Sequence, residues 1–107
     1  MRTLSKFRNR RVEVDGLKFD SVKESKRWAE LQFMERAGEI KNLQRQVRIP
    51  IVINGVKVCT YVADYVYDEM AGRVVEDVKS AFTRKDPVYR LKNKLMKACH
   101  GIDIREV

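Results

Sequence analysis

The spacing of apolar and polar positions divides the chain into short elements of two periods. Val12-Glu13-Val14 and Leu17-Lys18-Phe19 alternate with a period of two and flank Asp15-Gly16. That pair suits the positive φ angles of a type I′ turn, so a short hairpin is predicted. Ser21-Val22-Lys23-Glu24 has capping-box spacing and opens a helix, which is expected to run to about Ala37 and to stop at Gly38. Glu24, Trp28, Leu31 and Glu35 follow one face of that helix, and Val22, Ala29, Phe33 and Ala37 widen its apolar stripe. The period then returns to two. Val47 to Ile53, the Asn54-Gly55 turn and Val56 to Tyr67 form a second hairpin. Met70-Ala71-Gly72 turns the chain again into a strand from Arg73 to Lys79. In the middle strand Tyr61, Ala63 and Tyr65 share one face and Val62 and Val66 the other. A strand apolar on both faces is covered on both sides. Asp86-Pro87 supplies an N-cap and a first helical residue for a second helix, which reaches about Cys99 and ends at Gly101. Val88, Leu91, Leu95 and Cys99 form its apolar stripe, and Arg90, Lys94 and Lys97 its basic outer face. Ile102 to Glu106 alternates and reads as a last strand. After the leading hairpin the order is helix, three strands, helix, strand, which predicts an α/β domain with a mixed sheet flanked by helices.

Composition narrows the partner. The 107 residues suffice for one domain, taken as residues 12–107 behind a basic arm at 1–11. Lys and Arg outnumber Asp and Glu by 23 to 15, a net charge of +8. That surplus points to nucleic acid first and to an anionic membrane surface second, against the plainer reading of a basic surface with no partner. The arm carries Arg2, Lys6, Arg8, Arg10 and Arg11 and no acid. It is read either as a mobile DNA-phosphate contact or as a solvated tail. Arg90, Lys94 and Lys97 carry the same two readings. No apolar run approaches membrane-spanning length and no signal-peptide core is visible, so a cytoplasmic protein is expected. Cys59 and Cys99 are too few for a disulfide framework, and with the lone His100 they cannot assemble a structural zinc set. There is no Ser-His-Asp pattern and no Gly-rich phosphate loop. Any catalysis must therefore run on carboxylates, lysine and a hard metal.

Asp64 is the first such candidate. A carboxylate between Ala63 and Tyr65 in a buried strand needs a metal, a cation or backbone donors to offset its desolvation. In Val75-Glu76-Asp77-Val78-Lys79, alternation puts Asp77 and Lys79 on one face, roughly 7 Å apart, with Glu76 and Val78 on the other. A turn centred between Met70 and Ala71 places Asp64 opposite Asp77, about 5 Å away across the strands. Two carboxylates that close repel unless a cation separates them, and an oxygen donor set suits Mg2+ or Mn2+. Lys79 beside such a pair can orient water or stabilise charge on a phosphate. Plainer alternatives stand beside each residue. Glu24 can bond the Ser21 amide as the closing member of the capping box; Asp64 can be a buried acid paired with arginine; Asp77 and Lys79 can be a same-face ion pair; a bulge can substitute Glu76 for Asp77. A lysine such as Lys92, beside the apolar stripe of the second helix, is explained by a snorkelling stem.

Asp64, then Asp77-Val78-Lys79 after a turn, preceded by a helical glutamate, resembles the PD-(D/E)XK nuclease superfamily, with Ala63 standing where the usual proline precedes the first Asp. Phe19-Asp20-Ser21 with Glu24, Gly38-Glu39-Ile40 with Leu43 and Gln46, Tyr61 to Tyr65, and Val75 to Lys79 together resemble a family of small phage and prophage proteins placed in that superfamily. Phage endonuclease I and archaeal Holliday-junction resolvases are similar in layout and size. The resemblance covers roughly residues 11–107. It implies a restriction-endonuclease-like core and an active site of Glu24, Asp64, Asp77 and Lys79. The metal would be held by Asp64, Asp77 and the main-chain carbonyl of Val78, with further contacts from Gln46 and Lys92. The expectation is therefore an Mg2+- or Mn2+-dependent DNA endonuclease in phage DNA processing. A minimal domain has little room for base readout, which favours branched or junction DNA, and symmetric junction cutting calls for a homodimer. The competing expectations are a non-catalytic nucleic-acid-binding protein and an RNA-directed nuclease.

Overall fold

The computed structural model describes residues 10–107. The first hairpin pairs β1 (Val12–Val14) with β2 (Leu17–Phe19) around Asp15 and Gly16, whose φ angles are 53° and 80°. The helix α1 spans Val22–Arg36. Its N-cap Ser21 accepts the Glu24 amide through Oγ at 3.0 Å, and Gly38 follows its end at φ 82°. Three antiparallel strands come next: β3 (Lys41–Ile53), β4 (Val56–Glu69) and β5 (Gly72–Asp77). The helix α2 (Pro87–His100) starts from Asp86, whose side chain accepts the Tyr89 amide, and ends at Gly101 with φ 67°. The last strand, β6 (Ile104–Glu106), pairs parallel with β5, so the four-stranded sheet has the order β3-β4-β5-β6 and is mixed. Among the described residues no helix is long and apolar enough to cross a membrane.

Two clusters cover the sheet, one on each face. Leu31 of α1 packs with Ile40, Tyr65, Tyr67 and Val74; Met96 and Tyr89 of α2 pack with Ile51, Tyr61, Ala63, Val66 and Val75. Neighbours in sequence such as Val74 and Val75 fall in different clusters, as the pleat requires. The predicted order of elements and the two-sided cover of β4 are found as expected.

Several details differ from expectation. The first long strand begins at Lys41, well before Val47, and β5 ends at Asp77 rather than at Lys79. Tyr61 and Tyr65 do not share a face: Tyr61 and Ala63 lie in the α2 cluster, Tyr65 and Tyr67 in the α1 cluster. The neighbouring strand switches at the same level, since Leu43 packs on the α1 side and Val47 on the α2 side. Between them stand Gln46, with φ 55°, and Asp64, where the paired residues pass from Arg45–Tyr65 to Val47–Ala63. A left-handed residue inside a strand breaks the alternation, and here both strands rotate their faces together. The helical stripes were also read too widely. In α1, Val22, Ala29, Phe33 and Ala37 are exposed, and Trp28, Leu31 and Met34 carry the packing. In α2, Val88 and Leu91 are exposed, whereas Tyr89, Leu95, Met96 and Cys99 face the sheet. Only one face of each helix can turn inward, and the residues packed against the sheet mark it.

Candidate active site

The register of β4 against β5 assembles the site. Pairing runs from Glu69–Gly72 to Tyr65–Glu76, a register that brings Asp64 and Asp77 together as the next residues. There the ladder gives way to side chains. The Asp64 amide donates to Asp77 Oδ1 at 3.0 Å, and the Val78 amide donates to Asp64 Oδ2 at 2.9 Å. Each aspartate thus satisfies a main-chain donor of the other strand where the two strands part, which keeps those amides from being buried without a partner. On its other side the end of β5 is held by Val107, whose amide donates to the Asp77 carbonyl at 2.9 Å and whose carbonyl accepts the Lys79 amide at 3.0 Å.

Asp77 is the deepest member, 2% exposed. The Tyr61 hydroxyl donates to its Oδ2, and Lys79 Nζ lies 3.8 Å from the same oxygen. Burial raises its pKa to about 6, with the Lys79 charge opposing the rise. Glu24 comes from the first turn of α1 and is 3% exposed. Its Oε1 accepts the Asp20 amide at 3.1 Å, and its Oε2 accepts Gln46 Nε2 at 3.2 Å. The capping-box alternative placed the Glu24 carboxylate on the Ser21 amide; it lies instead one residue earlier, on Asp20, and faces Asp64. Burial first, and the Asp64 charge second, raise the Glu24 pKa to about 7. Asp64 is raised as well, chiefly by burial, while the Val78 amide and Lys79 pull it down. Both carboxyls line the same cleft, where the Asp64 charge disfavours ionisation of Glu24, as expected for like charges in a poorly solvated place.

Glu24 and Asp64 open onto a cleft of about 380 Å³, whereas Asp77 lies behind its wall. The rest of the lining includes Arg10, Lys23, Lys79, Ser80 and Thr83, so acids meet a rim of cations and hydroxyls. Lys23 is fixed there by donating to the Lys79 carbonyl at 2.7 Å. Behind Glu24, Arg45 stacks over Phe19 with 4.5 Å to the ring centroid and donates to the Lys18 carbonyl at 2.7 Å. Its charge lowers the Glu24 pKa in part.

The structure brings together Glu24, Asp64, Asp77, Lys79 and Gln46, and places Val78 beside them. Glu76 is excluded as a substitute for Asp77: it is fully buried on the other face, where Arg27 grips it through Nε at 2.9 Å and Nη2 at 2.7 Å and Tyr67 donates at 2.6 Å. Lys92 is turned toward β4 and donates to the Thr60 carbonyl at 3.0 Å. Lys97 pairs with Asp103 at 2.9 Å. Arg90 and Lys94 line a shallow depression with Pro87 and Leu91. Of the basic arm, Arg10 reaches the cleft and Arg11 lies 3.9 Å from Asp20, while Arg8 falls outside the described residues. Sequence reasoning missed Lys23, Ser80, Thr83 and Tyr61. Ser80 and Lys23 adjoin residues already suspected, and that adjacency was the available signal; Tyr61 and Thr83 carried none.

Oxygen donors in a half-buried setting are the chemistry of a hard divalent cation. Glu24, Asp64 and Asp77 are held above the ordinary carboxyl pKa range, and the charge of a cation bound near them would favour their ionised form. Among the described residues no group of three or more acidic, histidine or cysteine side chains is placed to hold a metal ion.

Residues 4–105 match the model of a family described as a protein of unknown function, DUF1064, and the chain belongs to that family. No curated protein and no solved structure matches the chain.

Proposed function

We propose that this member of the DUF1064 family is a divalent-metal-dependent endonuclease of the PD-(D/E)XK type, acting on DNA. One observation carries the reading: Glu24, Asp64, Asp77 and Lys79, delivered by α1, β4 and the end of β5, converge at one end of the sheet beside a cation-rimmed cleft. The predicted order of helix, three strands, helix and strand is that of the restriction-endonuclease-like core, which supports the same reading. Asp64 and Asp77, with the Val78 carbonyl, would hold Mg2+ or Mn2+, and Glu24 would tune the site through a bound water or a second metal. Such an ion supplies charge neutralisation at a phosphate and a more acidic water.

The residues of the chain do the remainder. Lys23, Lys79 and Arg10 attract a phosphodiester into the cleft, and the net charge of +8 steers the polyanion toward it. Lys79 stabilises negative charge as it develops on the phosphate. Glu24, its carboxyl raised to about 7, takes up and returns a proton near neutral pH. Gln46 fixes the Glu24 carboxylate from the adjoining strand. Branched DNA is the proposed substrate and a homodimer the proposed cutting unit, in a host cell's cytoplasm if the gene is phage-borne.

The test is cleavage of a labelled four-way DNA junction and a matched duplex in Mg2+, Mn2+ or EDTA, beside Asp64→Asn and Asp77→Asn. Metal-dependent cutting that both variants lose while still binding DNA supports the proposal; preference for the junction supports the substrate. An RNA form of the junction run in parallel separates the RNA-directed alternative. A second reading is favoured by the way each aspartate replaces a ladder bond: the pair would then serve the fold of a non-catalytic DNA-binding protein. Salt-sensitive binding with no cutting in either metal would decide for that reading.

A further inference from the structure

We infer that Tyr89 is the positioning residue for Lys79, acting through the face of its ring. The Lys79 ammonium lies over that ring, 4.1 Å from the centroid, and 3.8 Å from Asp77 Oδ2. The carboxylate is therefore an ion-pair partner beyond direct hydrogen-bond length, and the ring face is the second support of the charge. A lysine side chain has four rotatable bonds, and without a fixed partner it spreads over many rotamers. Here it is 19% exposed and bracketed between an acid and an aromatic face at the cleft wall.

The ring itself is held at both ends. Its backbone amide donates to the N-cap Asp86 at 3.1 Å, so the residue sits in the rigid first turn of α2. Its hydroxyl donates to Glu106 Oε2 at 2.5 Å and accepts from Asn93 Nδ2 at 3.3 Å. Glu106 is in turn paired with Arg84 at 3.1 Å, and β6 sets it opposite Asp77 in the parallel register. The last strand thus reaches Lys79 twice: through Val107, which takes the Lys79 amide, and through Glu106, which aims the ring under its ammonium.

The chemical consequence rests on the nuclease reading; the placement of Lys79 does not. The experiment replaces Tyr89 by phenylalanine and then, at the same position, by mono- and trifluorinated phenylalanine. These rings have nearly the same shape but progressively lose negative potential on the face, so a packing role predicts no trend. Thermal unfolding confirms each protein is folded. The first readout is the rate of amine-selective labelling of Lys79, followed by mass spectrometry with Lys57 as the internal reference. It is expected to rise stepwise with fluorination, by about 2- to 30-fold across the series. The second readout is the single-turnover junction-cleavage rate in Mg2+, expected to fall in the same order at unchanged DNA affinity. A flat labelling series overturns the inference. Graded labelling with a flat cleavage series overturns its relevance to the chemistry. Graded labelling in a protein whose wild type cuts nothing keeps Tyr89 as the holder of Lys79 and overturns the nuclease reading alone.

Discussion

Replacing Glu24 by glutamine should make the metal-free protein more stable at pH 8 while changing little at pH 5. In the folded chain the Glu24 carboxyl titrates at about 7, against 4.5 for the free group, because burial and the Asp64 charge disfavour ionisation. Its folded pKa is raised, so the folded state binds more protons than the unfolded state between those values, and stability falls as pH rises through that window. Below about 4.5 the effect is absent; above about 7 it is complete. A shift of that size corresponds to about 3 kcal/mol, a large share of the roughly 5–15 kcal/mol that holds a domain together. Glutamine has nearly the same shape, keeps an acceptor for the Asp20 amide, and cannot ionise. Urea unfolding in EDTA at pH 5, 6, 7 and 8 gives the comparison, and the difference between the two proteins cancels the effect of overall charge. The curves should coincide near pH 5 and diverge by about 3 kcal/mol at pH 8, equivalent to roughly 12–24 °C in Tm. Parallel curves over the whole range would refute the claim that Glu24 is held protonated by its surroundings.

Three further outcomes are expected. Mn2+ should raise the Tm of the wild type more at pH 8 than at pH 5, because Asp64 and Asp77, both held above the ordinary carboxylate range, must lose protons to bind it; an equal rise at both pH values, or none, counts against a metal at this site. Arg27→Ala leaves the fully buried Glu76 with the Tyr67 hydroxyl alone and should cost about 3–5 kcal/mol by denaturant unfolding. A loss under 1 kcal/mol would show that the Arg27–Glu76 pair contributes little to holding the fold. Asp64→Asn should lower the cleavage rate by at least about 10²-fold with DNA affinity within a few-fold of wild type; loss of binding in a folded variant would instead assign Asp64 to the DNA contact.

Much of the fold was legible because it is dictated locally. Asp15-Gly16 and Asn54-Gly55 accept the positive φ angles of tight turns, and Ser21 and Asp86 cap helices with their own side chains. The two-residue turn at Met70 and Ala71 fixed the β4–β5 register, and with it the meeting of Asp64 and Asp77, since register follows from turn length. Lys79 meets Asp77 as expected, although β5 has ended and Val107 holds the Lys79 amide there. The tertiary structure alone decided the rest. Whether Glu24 closes a capping box or turns to Asp64 depends on Gln46 and Arg45, more than twenty residues away. The joint rotation of β3 and β4 at Gln46 and Asp64 reverses the side assigned to Tyr65, because a local break in alternation leaves no trace in a hydrophobic pattern. The burial of Asp77 behind the cleft, the Arg27–Glu76 pair, and the Tyr89 ring under Lys79 join residues ten to forty-nine positions apart. Turns, caps and periods are set by a few adjacent dihedrals, which each residue carries with it; partners across the sheet are chosen only when two packed faces compete for the same space and charge.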